Sequence, residues 1–168
     1  MYSFKKYFIL LSIFFVSFFS SFFLKTKTSH LTGKQDRWKS PPIVVNCYHS
    51  FNQEKRVSSS IEFWIEKGFE IAFYESKPIK SICMYDQVEG IILIKLARYD
   101  ELGENTLAFT KRNSSYGIIK SATIYVEYGT FNYPNLLEHE IGHALGIDHN
   151  SKKGNIMHPI YEMMGNEY

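Results

Sequence analysis

A chain of 168 residues is long enough for one domain with a real core. Its formal charge of +2 is local, because setting Lys5 and Lys6 aside leaves 17 basic residues against 17 acidic ones. A neutral remainder has no electrostatic footprint for nucleic acid, and no such partner is expected.

Residues 1–24 hold eight of the 14 Phe and no Asp or Glu. Lys5 and Lys6 form a short basic region, and Tyr7 to Leu24 is an uncharged, mostly apolar run. It reads either as a cleaved signal peptide or as an uncleaved anchor that would hold the protein to a membrane through residues 7–24. Both readings place the rest outside the cytoplasm. Residues 25–40 are polar and read as a linker, which leaves 41–168 as the folded domain.

Ile43 to Tyr48 is a β-branched run and a predicted strand. Residues 59–74 read as an amphipathic helix, with Ser59 and Glu62 as a capping box. Ile61, Trp64, Ile65, Gly68 and Ala72 recur there at helical spacing, which is the pattern of core packing. Ile79 to Met84 suggests a short strand, and Gly90 to Leu96 a stronger one, apolar enough for burial on both faces. Residues 97–116 read as a long irregular stretch with a short strand at Leu107–Thr110. Gly117 to Val126 is a further predicted strand, placed at an edge by its partial alternation. A helix is then expected to begin near Pro134 and to stop at Gly146. Cys47 and Cys83 suggest one disulfide in an exported chain, with two buried free thiols as the alternative.

The chemistry lies in HEIGHALGIDH, residues 139–149. His139 and His143 are one helical turn apart, so both imidazoles can face one ion. Zinc favours such nitrogen ligands, and a catalytic site needs three protein ligands plus a water. Gly146 lets the chain leave the helix and bring His149 back as the third ligand. A continuing helix would carry His149 about 15 Å along the axis from His139, too far to share an ion. Glu140 follows the first ligand and sits where it can take a proton from water whose pKa zinc lowers to about 7. The implied reaction is hydrolysis of an internal peptide bond.

This stretch, with Asn155-Ile156-Met157-His158-Pro159-Ile160-Tyr161, resembles the metzincin zinc endopeptidases, and among them the matrixins. The resemblance runs over residues 37–161 and is specific over 139–161. It implies His139, His143 and His149 as ligands of one catalytic Zn2+, Glu140 as general base and acid, and Met157 as the residue of a structural turn beneath the metal. It implies that Pro159 and Tyr161 wall a substrate pocket, Tyr161 either touching substrate or only packing. The strand SATIYV resembles the family's antiparallel edge strand, on which a polypeptide substrate would lie. The implied fold is α+β: a twisted mixed sheet with an antiparallel edge strand, a backing helix, an active-site helix and a short C-terminal Met-turn segment.

His158 is assigned no metal role and is expected at the surface. Residues 97–116 contain no His, so the second, structural zinc of larger matrixins is not expected. Asp100, Glu101 and Glu104 could take Ca2+, against the plainer reading of a solvated acidic turn. The family's inhibitory pro-segment, with its zinc-covering Cys, is not expected, since Cys47 lies in a predicted strand and lacks the surrounding motif. Two other functions compete with an endopeptidase: a non-catalytic zinc-binding module, and a zinc hydrolase acting on a non-peptide bond. The intact Glu140 argues against the first, and the edge-strand reading against the second.

Overall fold

The β-branched runs become strands where a sheet can cover their side chains on both faces. A computed structural model describes residues 35–48, 51–98 and 101–168. The leader expected at 1–24 and linker residues 25–34 lie outside these. Among the described residues no helix is long and apolar enough to cross a membrane.

The strands in chain order are β1 (Arg37–Trp38), β2 (Ile43–Asn46), β3 (Phe73–Glu75), β4 (Ile91–Leu96), β5 (Ala108–Ser115) and β6 (Ile118–Val126). Their order across the sheet is β1-β6-β4-β2-β3, with β5 also on β6. Every pairing is parallel except that of β5 with β6. With the two α-helices among the described residues, α1 (Phe51–Glu66) and α2 (Leu136–Ala144), this is the expected α+β fold.

Several expectations are corrected. β6 is not an edge: β4 pairs with Ala122–Val126, β5 pairs along the whole strand, and seven of its nine residues are buried. The antiparallel edge strand is β5, which takes eight residues of the stretch 97–116 read as irregular and runs past the short strand expected at Leu107–Thr110. Thr110, Arg112 and Ser114 on its covered face are as polar as Lys111, Asn113 and Ser115 on its exposed one, which hides the strand period in the sequence. β5 turns into β6 through Tyr116 (φ 53°) and Gly117 (φ 76°), and two positive φ values suit the twist of a two-residue hairpin loop. Residues Ile82–Met84 form a 3-10 turn rather than a strand. A disulfide joins Cys83 to Cys47, just past the end of β2, with a sequence separation of 36.

α1 starts and ends eight residues before the expected bounds. Ser59 is not a cap but lies mid-helix, donating its hydroxyl proton to the Lys55 carbonyl at 3.0 Å. Gly68 (φ 90°) ends the helix: Phe69 N–H bonds the Trp64 carbonyl and Gly68 N–H that of Ile65. Trp64 and Phe69 rings meet edge to face at 5.1 Å across this Schellman ending. Only the first part of the predicted stripe is therefore core. Ile61 and Trp64 are buried, with Val57 one turn before them, while Ile65 and Ala72 are exposed.

α2 begins at Leu136, after Asn135 in a left-handed conformation (φ 65°), two residues beyond the Pro134 start. It ends by the same device as α1: Ile147 N–H bonds the Gly142 carbonyl and Gly146 N–H that of His143. The core packs Val44, Ile92, Ile94 and Ile124 of the sheet against Trp64 of α1 and Ile141 of α2. Trp38 of β1, inside the stretch read as linker, donates its indole N–H to the Ala144 carbonyl at the end of α2.

Candidate active site

α2 presents His139 and His143 from one face, and Gly146 reverses the chain so that His149 returns to them. At Gly146 φ is 105°, and an added Cβ would lie 2.1 Å from the Asp36 carbonyl oxygen. Conformation and space both require glycine here. The His143 Nε2 lies 3.0 Å from that of His139 and 3.1 Å from that of His149. Nitrogens bound at about 2.05 Å to one tetrahedral zinc would sit ~3.3 Å apart, so the spacing fits a shared ion.

The second ring nitrogens fix which atoms face the ion. His139 Nδ1 is 2.8 Å from the Ile156 carbonyl, and His143 Nδ1 is 2.8 Å from that of Ile147. A carbonyl can only accept, so each Nδ1 carries the proton and each Nε2 turns a lone pair inward. Burial pulls the His139 imidazole down to about 4 and His143 below its ordinary value, so both rings are neutral at pH 7. Among the described residues this triad is the one group of His, Cys, Asp and Glu placed to hold a metal.

Glu140 is buried beside the triad, and burial pushes its carboxyl up to about 7. Thr110 of β5 opposes that shift by donating a hydrogen bond to Glu140 Oε2 at 2.6 Å. Arg112, two residues along β5, donates to the His143 carbonyl and to Asp148 Oδ1, both at 3.1 Å. It thereby ties the edge strand to the turn that carries His149.

Met157 forms the floor. It is fully buried, and an added Cβ at Gly142 would meet its Sδ at 2.5 Å and Trp64 Cζ2 at 2.6 Å. Glycine at 142 therefore lets the Met157 turn and α1 close on α2. The turn is held by Met157 N–H to Asn155 Oδ1 at 2.8 Å, and by Asn150 N–H to the Met157 carbonyl at 2.9 Å. His158 is buried, contrary to the surface position expected, and its Nδ1 accepts the Ile160 N–H at 3.1 Å. A cleft of about 1140 Å³ lies over the triad, bounded by β5 residues, by Leu136 and by Pro159–Tyr161.

The model of the Matrixin family (peptidase M10) matches residues 48–168, which include the triad, Glu140, Thr110, Arg112 and Met157. The chain belongs to the matrixin family. Matrix metalloproteinase-B of Caenorhabditis elegans is 57% identical over 30 residues, which are 18% of this chain and 6% of that protein. This matrixin thus spans a small part of that relative.

Matrixins are peptidases that use zinc, and the His triad of this one has the donor set and spacing to hold it. The triad, Glu140, Pro159 and Tyr161 come together around one cleft, with Met157 buried behind it against Gly142 of α2. SATIYV does not line that cleft as the resemblance implied; β5 takes its place. For Ca2+ the described residues give no support. Glu101 is committed to Arg98, through its backbone N–H at 2.7 Å and its guanidinium at 3.0 Å, and Asp100 lies outside the described residues. Thr110 and Arg112 escaped the sequence reading, because their partners are about 30 residues away and only the fold brings β5 to α2.

Proposed function

We propose that this matrixin is a zinc endopeptidase that hydrolyses internal bonds of polypeptides outside the cytoplasm. His139, His143 and His149 are the zinc ligands, Glu140 the general base, and Met157 the structural residue beneath them. The observation that carries the reading is the convergence of three Nε2 atoms within 3.1 Å steps, beside a buried carboxyl in an open cleft.

Bound zinc supplies Lewis acidity toward water and toward the scissile carbonyl. The chain's own residues do the rest. Glu140 takes the proton of the attacking water and returns it to the leaving amine, and a carboxyl near 7 is suited to both transfers. Ala108 to Thr110 line the cleft along β5, where an extended polypeptide can pair with the backbone. Leu136 and Tyr161 offer an apolar wall for a side chain next to the scissile bond. The Cys47–Cys83 disulfide supports an oxidising compartment, in keeping with the basic and apolar start of the chain.

The test compares the protein with its Glu140→Ala variant for bound zinc and for cleavage of a broad peptide library. One zinc in both, with cleavage lost by at least about 10³-fold in the variant, is the expected result. Zinc in both folded forms with cleavage in neither would establish a binding module instead. Folded protein without zinc would end the reading.

A further inference from the structure

Thr110 sits on β5 opposite Ile124 of β6, with its hydroxyl turned toward α2. Its Oγ1 is 2.6 Å from Glu140 Oε2 and 3.0 Å from the carbonyl oxygen of the same residue. A hydroxyl has one proton to donate and two lone pairs to accept with. Two acceptors therefore share one donor when Glu140 is a carboxylate, and the shorter contact, to Oε2, takes the proton.

One hydroxyl thus lies between the side chain and the main chain of Glu140. Its hydrogen bond engages Oε2 and leaves the other carboxyl oxygen, Oε1, free to take a proton from water and return it to the leaving amine. We propose that Thr110 is the positioning residue of this active site, its hydroxyl holding the Glu140 carboxyl in one orientation as both base and acid. The inference rests on the assignment of Glu140 as general base. A buried carboxyl without that partner would be free to turn about its last side-chain torsion, which has a broad, shallow profile. A base misplaced by an ångström loses rate rather than affinity.

Thr110→Val removes the hydroxyl while keeping the β-branched shape, and Thr110→Ser keeps the hydroxyl. With a cleaved library peptide as substrate, Val is expected to lower kcat by roughly 10–100-fold and to leave KM within about twofold. Bound zinc should stay at the level of the unaltered protein. Ser should restore kcat to within about threefold. A merely structural role would not give that split or that rescue. The proposal is overturned if Val keeps the original kcat, if Val raises KM alone, or if Ser falls as far as Val. Glu140→Gln is measured alongside. Full activity in Gln would bring down the general-base assignment itself, whereas a dead Gln with an unaffected Val would bring down only the role of Thr110.

Discussion

A carboxyl shut away from water resists ionisation, and Glu140 carries that cost in the folded state. Its folded value of about 7 lies above the ordinary carboxylate range, so the folded protein holds a proton that the unfolded chain has lost. The penalty is full above pH 7 and fades as pH falls toward the unfolded value near 4.5. Glu140→Gln keeps an acceptor for Thr110 and removes the charge. In metal-free protein it should raise stability by about 3 kcal/mol at pH 8, with the gain vanishing near pH 5. Denaturant melts of EDTA-treated protein at the two pH values measure this. A gain that is equal at both, or larger at pH 5, would contradict the burial argument. At this scale the sequence was legible where chemistry is local. His139, Glu140 and His143 share one helical turn, and Gly146 announces the return of His149. Thr110 and Arg112 were illegible because nothing near them in the chain shows what faces them. His158 was misread because a turn buries it against its own neighbour Ile160, which periodicity cannot reveal.

Both helices end on glycine with the same pair of hydrogen bonds, yet the two glycines are under different constraints. Gly68 (φ 90°) has nothing within 4 Å of an added Cβ, whereas at Gly146 the Asp36 carbonyl oxygen would be 2.1 Å away. Gly68→Ala should therefore cost only the left-handed strain, about 1–2 kcal/mol. Gly146→Ala must also displace the segment at Asp36 that leads into β1 or unwind the turn, at roughly 3 kcal/mol or more. Because that turn carries His149, bound zinc should fall in Gly146→Ala and not in Gly68→Ala. Thermal melts with zinc analysis of both variants check this, and equal costs at the two sites would mean that the Asp36 contact yields freely. Gly146 was legible as a stop because histidine spacing pointed to it. Gly68 was not, since Ser59 resembled a cap and Ile65 and Ala72 extended the apolar period past the true end. The strands divide in the same way. β4 is read directly from its apolar run, whereas β5 hides because its covered Thr110, Arg112 and Ser114 are as polar as the exposed residues between them.

Across the whole molecule the cleft and the covalent tie lie in different halves of the chain. The cleft is lined by residues 105–112, 136–149 and 159–164. The Cys47–Cys83 bridge instead closes the segment that carries α1, β3 and the 3-10 turn. Crosslinking across 36 residues removes about 4 kcal/mol of chain entropy from the unfolded state. Replacing both with serine should therefore lower the melting temperature by on the order of 10 °C. The cost should appear as lost stability and not as a changed site. Among the described residues, none between Cys47 and Cys83 lines the cleft, while the floor at Gly142 is secured by packing of Trp64 and Met157. Zinc stoichiometry and kcat/KM, measured well below the new melting point, should match those of the unaltered protein. A paired loss of zinc and stability would instead show that α1 depends on the bridge to hold Trp64 against Gly142. The floor of the site would then be as sensitive to reduction as the fold.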